Sequence, residues 1–249
     1  MILYFSATGN CQYVADRIAA ALNDTAVSIE KLQNSITITE GEVFGLVTPV
    51  YFWELPMNMR RFLKALTING IPAYSFMITT YGTTPGCTFS EAKKLLLKKN
   101  VQLKAGYSIR MPDTWTPLFD LNNQNENAAI NLKADSSIDK VIIQIQNRAL
   151  GNMMSRSKSI AVKLITDPLY NAARKTRKLY AEDHCTGCGL CEKQCPEKAI
   201  SIQNNKPVWI KKQCLLCLRC LHHCPVFAIQ YGNGSTKIHG QYRHPDTKI

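Results

Sequence analysis

Two stretches of this 249-residue sequence follow one pattern: Cys185-Thr186-Gly187-Cys188-Gly189-Leu190-Cys191-Glu192-Lys193-Gln194-Cys195-Pro196 and Cys214-Leu215-Leu216-Cys217-Leu218-Arg219-Cys220-Leu221-His222-His223-Cys224-Pro225. Each cysteine recurs after 29 residues, and the same offset carries Pro196 onto Pro225, Ala199 onto Ala228 and Ile200 onto Ile229. Such a register implies an internal duplication, each copy a cysteine-rich loop and a short helix leading to a strand. Eight of the ten cysteines fall here, while Cys11 and Cys87 stand alone. A disulfide scaffold fits short secreted chains, and this chain is neither short nor visibly exported. Clustered thiols in such a chain point first to metal.

Three thiolates two residues apart can wrap one face of an Fe4S4 cube. Zinc is the alternative, since a tetrahedral site needs only four ligands from two CxxC pairs. It requires neither a third cysteine at the same spacing nor a proline after the fourth. The run resembles that of bacterial two-cluster ferredoxins, in which the fourth cysteine ligates the other cluster. That resemblance implies one [4Fe-4S] cluster on Cys185, Cys188, Cys191 and Cys224, and a second on Cys214, Cys217, Cys220 and Cys195. His184, His222 and His223 lie beside these cysteines and read as surface or supporting groups, since eight thiols already supply eight ligands.

Working outward, charge divides the chain. Residues 1–150 hold 14 Lys and Arg against 12 Asp and Glu, whereas 151–249 hold 16 against 6. An oxidised [4Fe-4S] cluster with four thiolates carries about −2, so two of them lower the C-terminal balance of +10 to about +6. Part of that basicity therefore offsets cofactor charge, which weakens a nucleic-acid reading. With 45% apolar residues the chain can bury a core, and its composition excludes disordered and collagen-like classes. No apolar run has the length of a transmembrane helix, and the N-terminus lacks a basic segment before its apolar start. A cytoplasmic protein is expected.

Residues 1–111 alternate strand-like and helix-like segments. Strands are predicted over Met1–Phe5, Ala26–Glu30, Val43–Thr48, Ala73–Thr79 and Leu103–Arg110, and helices over Asn10–Leu22, Asn58–Leu66 and Ser90–Lys99. Alternation of this kind implies a parallel sheet covered on both faces, with ligands beyond the C-terminal strand ends. Three loops leave those ends. Ser6-Ala7-Thr8-Gly9-Asn10-Cys11 is a strand-to-helix turn suited to a phosphate, although no Walker motif is present. Pro49-Val50-Tyr51-Phe52-Trp53 sets three aromatics together, and Thr80-Tyr81-Gly82 follows the next strand. Trp115 is a further candidate wall. Aromatics usually belong to the core, but grouped at strand ends opposite a phosphate nest they can sandwich a planar ring.

These features resemble the flavodoxin family, whose phosphate loop reads roughly [ST]-x-T-G-x-T. The resemblance covers about residues 1–150 and implies a doubly wound five-stranded parallel sheet of order 2-1-3-4-5 with non-covalent FMN. It places the phosphate at Ser6–Asn10 and the ring between the Tyr51 and Tyr81 loops. Cys11 departs from the family, which usually has a hydroxyl there. Taken whole, the chain resembles fused flavodoxin–ferredoxin electron-transfer proteins of anaerobes. Its implied parts are an FMN domain over 1–150, a helical basic linker over 151–180, a small α+β two-cluster domain over 181–231 and a tail over 232–249.

Within the connection, residues 120–135 are polar and read as an exposed loop, with a helix over 136–150. Asp167-Pro168 reads as a helix start, and Arg174-Lys175-Thr176-Arg177-Lys178 as a solvated basic face. FMN converts between one- and two-electron chemistry, while clusters carry single electrons. The expected function is electron transfer between two clusters and FMN, with redox proteins as partners, no nucleic acid and no transmembrane segment. The alternative is an FMN-dependent reductase that its own clusters supply, acting on a small acceptor such as a quinone or nitro compound.

Overall fold

The computed structural model describes residues 1–39, 41–155 and 157–247. Positions within the expected linker (156) and the expected tail (248 and 249) lie outside the described residues.

The N-terminal half is a parallel sheet between two helical layers. Its strands are β1 (Ile2–Tyr4), β2 (Ala26–Ser28), β3 (Val43–Pro49), β4 (Tyr74–Tyr81), β5 (Ala105–Arg110) and β6 (Gly151–Asn152). They lie in the order β2-β1-β3-β4-β5-β6, all parallel. The expected order 2-1-3-4-5 is therefore present, and the expected count of five is corrected to six. The sixth strand pairs only two residues, Ala105 with Gly151 and Gly106 with Asn152. A separate parallel pair, Ser35–Thr37 with Thr67–Asn69, stands beside this sheet.

Alternate strand residues enter opposite layers, as a sheet covered on both faces requires. Leu3, Phe5, Leu46 and Met77 pack with Met59 and Leu63 of α2 (Met57–Ala65) and Ala92 and Leu96 of α3 (Thr88–Leu97). Ile2, Val47, Phe76 and Ile78 pack instead with Val14 and Ile18 of α1 (Asn10–Ala21) and Ile138 and Val141 of α4 (Gln124–Gln146). Helix α4 corrects the expected loop over 120–135. Asn123 accepts from the Glu126 amide at 3.1 Å and caps the helix, so the Asn-rich stretch is its exposed first half.

Helix α5 (Lys163–Ala173) also begins before its expected start, and Pro168 lies inside it. A 3-10 turn at Ile160–Val162 precedes it, with Ser159 accepting from the Ala161 amide. Lys163 and Asp167 tie its first turns to a buried ion cluster described below. Lys175, Arg177 and Lys178 are exposed, as expected of a solvated basic face, but Arg174 departs from it: it is buried, and its Nε donates to the Cys214 carbonyl at 2.6 Å.

The C-terminal part is built from two similar halves. Helix α6 (Leu190–Lys193) leads to β8 (Ile200–Gln203), and α7 (Arg219–His222) leads to β10 (Ile229–Tyr231). Strand β7 (Leu179–Ala181) pairs antiparallel with β10, and β8 with β9 (Lys206–Trp209). Beyond β10, α8 (Ser235–His239) turns the chain back, and the tail reaches the loop between β1 and α1. Among the described residues, no helix is long and apolar enough to cross a membrane.

Candidate functional site

A cavity of about 390 Å³ opens at the C-terminal ends of β1, β3, β4 and β5. All of the expected loop residues except Gly9 line it: Ser6, Ala7, Thr8, Asn10, Cys11, Pro49, Val50, Tyr51, Phe52, Trp53, Thr80, Tyr81, Gly82 and Trp115. Gly9 turns the loop instead. Its φ is +102°, and a Cβ there would meet Thr247 Oγ1 at 2.2 Å and His244 Cβ at 2.7 Å. Only glycine tolerates both the dihedral and the approach.

The Ser6 hydroxyl accepts from the Gly9 amide at 3.1 Å and closes the turn into α1. No side chain caps that helix. Its first amides, with the macrodipole behind them, suit an anionic group at the cavity wall. The Asn10 carboxamide nitrogen donates to the Pro112 carbonyl at 3.3 Å, which leaves its buried Oδ1 without a hydrogen-bond partner among the described residues. An orphaned buried acceptor beside an uncapped helix end fits a polar group that donates there. Cys11, by contrast, serves the core. Its Sγ lies 3.0 Å from Thr80 Oγ1, and burial pushes the thiol up to about 12.

The aromatic loop is strained. Backbone bonds close a turn in both directions between Tyr51 and Glu54, and Phe52 and Trp53 within it have φ of 49° and 63°. Left-handed conformations cost bulky residues about 1–2 kcal/mol each. Two contacts hold them. The Cys87 amide donates to the Trp53 carbonyl at 2.8 Å, and Gly86 leaves room for that carbonyl, which a Cβ would meet at 2.1 Å. Beneath the turn, Glu54 is fully buried among Arg60, Lys163 and Thr166, with Glu91 and Asp167 completing the ion cluster. Phe52 then stacks on Tyr170 at 5.2 Å and meets Trp115 edge-on at 5.6 Å.

Asp113 is a wall residue that the sequence did not single out. Burial raises its carboxyl, while the Trp115 amide and the Thr83 hydroxyl donate to it at 3.1 and 3.2 Å and oppose that rise. Leu216, Cys217 and Leu218 also line this cavity from the other half of the chain. Spacing along the sequence carries no signal for Leu216, Cys217 and Leu218, because their contribution depends on how the halves dock.

The cysteines surround two further small cavities. Cys185, Cys188, Cys191 and Cys224 line one, and Cys195, Cys214, Cys217 and Cys220 line the other. The fourth cysteine of each run thus joins the opposite run's three. Backbone amides reach the sulfurs, among them those from Ala199 to Cys195, Leu216 to Cys214 and Ala228 to Cys224 at 3.2–3.3 Å. Amide donors of this kind stabilise thiolate ligands and tune a cluster. Burial pushes the unligated Cys217 thiol up to about 12, so a cationic centre is what would make it a thiolate. Among the described residues, no group of three or more His, Cys, Asp or Glu side chains is arranged to hold a single metal ion. The four cysteines lining each small cavity fit a polynuclear group. The buried Arg219 Nε, beside Cys217 and without a hydrogen-bond partner among the described residues, fits an acceptor in the second cavity.

Of the histidines beside the cysteines, His222 and His223 lie against backbone carbonyls of the N-terminal half. His222 Nε2 lies 2.9 Å from the Thr114 carbonyl, and His223 Nε2 lies 3.1 Å from the Ala7 carbonyl. Burial lowers both to about 4, so both are neutral.

Comparison with known proteins matches residues 1–132 to the flavodoxin domain and residues 177–240 to the 4Fe-4S dicluster domain. No curated protein matches the chain. Among solved structures, a flavodoxin from the domain Archaea is 12% identical, with 56% of this chain and 96% of that one aligned at a TM-score of 0.34. The two-electron reduced flavodoxin of Megasphaera elsdenii is 18% identical, over 54% of this chain and 97% of that one, at a TM-score of 0.30. Rubredoxin oxygen:oxidoreductase from Desulfovibrio gigas is 8% identical, over 58% of this chain and 36% of that one, at 0.35.

Proposed function

This chain belongs to the flavodoxin domain family and carries a 4Fe-4S dicluster domain behind it, and from that premise we propose that it relays electrons between two [4Fe-4S] clusters and FMN within one polypeptide. The flavodoxin domain implies FMN, the dicluster domain implies [4Fe-4S] clusters, and the chain is accordingly an iron–sulfur flavoprotein of the electron-transfer type. In this reading residues 1–150 form the flavin unit and 151–180 connect it to the cluster unit at 181–231, with 232–249 as the tail.

The carrying observation is the position of Cys217. Its residue lines both the main cavity and the cavity of Cys195, Cys214 and Cys220. The second cluster would therefore border the flavin pocket, while the set of Cys185, Cys188, Cys191 and Cys224 would lie beyond it. FMN supplies exchange between one- and two-electron chemistry, and the clusters supply one-electron carriage. The chain's own residues do the rest. The loop at Ser6–Asn10 would bind the phosphate, while Tyr51 and Tyr81 would flank the ring. Phe52, Trp115 and Leu218 would exclude water where the two halves meet.

The physiological setting in this reading is the cytoplasm of an anaerobe, with redox proteins as donor and acceptor. The test is anaerobic purification with iron, sulfide and flavin quantified on one sample. Roughly eight iron, eight sulfide and one FMN per chain are expected for two cubes and one flavin. Eight iron without FMN, even after reconstitution, overturns the reading.

A second reading is an FMN-dependent reductase of a small acceptor. Asp113 favours it, because a carboxyl raised by burial in the cavity wall can deliver a proton. A quinone or nitro compound turned over by the reduced protein, with turnover lost in Asp113→Asn, would establish it. Unchanged turnover in that variant would remove Asp113 from the chemistry.

A further inference from the structure

Ser6, Ala7 and Thr8 are consecutive, and the carbonyl of each is held by a group more than 200 residues along the chain. Arg219 Nη2 donates to the Ser6 carbonyl at 2.5 Å. His223 Nε2 lies 3.1 Å from the Ala7 carbonyl, and since a carbonyl only accepts, the imidazole carries its proton there. The backbone amide of His244 donates to the Thr8 carbonyl at 2.8 Å.

Arg219 is itself firmly placed. Glu30 accepts from it through both oxygens, at 2.9 and 2.7 Å, and the Gln194 carbonyl accepts at 3.0 Å. It stands between Cys217 and Cys220 in α7, and His223 follows that helix directly. The short helix that presents Cys220 to the second cavity thus also grips the loop proposed for phosphate.

A peptide unit is planar and trans, so fixing a carbonyl oxygen also fixes the next residue's amide, pointing the opposite way. Holding the Ser6 and Ala7 carbonyls toward the iron–sulfur half turns the Ala7 and Thr8 amides away from it. A nest of preset amides binds an anion without paying to order them on binding.

We propose that Arg219 and His223 are positioning residues for the phosphate end of the flavin, acting through the Ser6 and Ala7 carbonyls. The iron–sulfur half therefore sets how tightly the flavin half holds a phosphorylated ligand. This rests on the FMN reading above.

Riboflavin, which lacks the phosphate, separates loop positioning from general damage to the cavity. FMN and riboflavin are each titrated by fluorescence quenching against the full cluster-loaded chain under anaerobic conditions, with iron content measured on every variant. Arg219→Gln and His223→Leu are each expected to weaken FMN at least tenfold while changing riboflavin less than threefold. His223→Gln restores most of the FMN affinity, because its amide can still donate to the Ala7 carbonyl. Should Arg219→Gln lose iron, the two His223 variants decide alone. Equal weakening of both flavins, or unchanged FMN affinity in the variants, overturns the proposal. A wild-type chain that binds neither flavin overturns the FMN reading instead, which is a separate outcome.

Discussion

Cys11 sits in a binding loop yet belongs to the core. It is 1% exposed among Val14, Ile78 and Ile109, and its Sγ faces Thr80 Oγ1 rather than the helix end. Cys11→Ser is therefore expected to leave FMN affinity within threefold while lowering stability by about 1–2 kcal/mol, the usual cost of burying a hydroxyl with one partner. Urea unfolding beside flavin titration checks both numbers, and a large affinity change would give the thiol a role at the loop. His244 offers a pH-dependent counterpart. Its ring stacks on Tyr13 at 4.1 Å, and Nδ1 accepts from the Asp246 amide at 3.3 Å. Burial lowers its pKa below the ordinary 6.5, against the opposing charges of Asp246 and Asp135; Arg17 lies nearby on Tyr13 and Asp135. The undocked tail takes up a proton near pH 6.5 and the docked tail only at lower pH. Docking is thus fully stable above that value and weakens as pH falls through it. Amide exchange over 241–247, corrected for intrinsic rates, should lose protection between pH 7.5 and 5.5; unchanged protection would count against the tail being held through a neutral His244.

At the scale of elements, the turn bearing Phe52 and Trp53 depends on the ion cluster below it. Arg60 bonds Glu54, Glu91 and Asp167, and Lys163 bonds the same three carboxylates from α5. Removing one cation leaves buried carboxylates short of a partner, a loss of about 3–5 kcal/mol. Arg60→Met is expected to cost that much in chemical unfolding and to weaken FMN as the aromatic turn relaxes. A cost below 1 kcal/mol would mean that Lys163 compensates alone. This cluster also explains which elements were legible in the sequence. Strands β1 to β5 could be read because the parallel sheet is buried on both faces, which leaves apolar runs between helical periods, while their order followed only from the resemblance to flavodoxins. Helix α5 could not, since its start is fixed by Glu54, more than a hundred residues earlier, and not by Asp167-Pro168. The first half of α4 was hidden by exposed Asn and Glu residues, which carry no apolar period. Strand β6, Gly151–Asn152, has no side-chain pattern at all and exists only because β5 offers it an edge.

The whole molecule places its two cysteine sets in unequal surroundings. The 29-residue cysteine spacing makes them twins, although the second run carries Leu215, Leu216, Leu218 and Leu221 where the first has Thr186, Gly187, Gly189 and Glu192. Docking breaks that equivalence through contacts no local pattern encodes, such as Arg219 with Glu30 and His223 with Ala7. In the second set Cys214 is buried, and Cys217 stands between the thiol cavity and the main cavity; Phe52 and Trp115 pack over this core. In the first set Cys188 is exposed and its three companions are half-buried. A reagent arriving from solvent therefore meets the first set directly, whereas the second is shielded by the flavin domain and by whatever fills the cavity. Iron release to a strong chelator under anaerobic conditions should accordingly proceed in two phases of about equal amplitude, each one cube's share. Added FMN should slow only the second phase, because it occupies the wall that Cys217 shares with the cavity. Release in one phase, or slowing of both phases alike, would mean that the clusters are equally accessible, and the outer-to-inner order on which the relay depends would lose its structural basis.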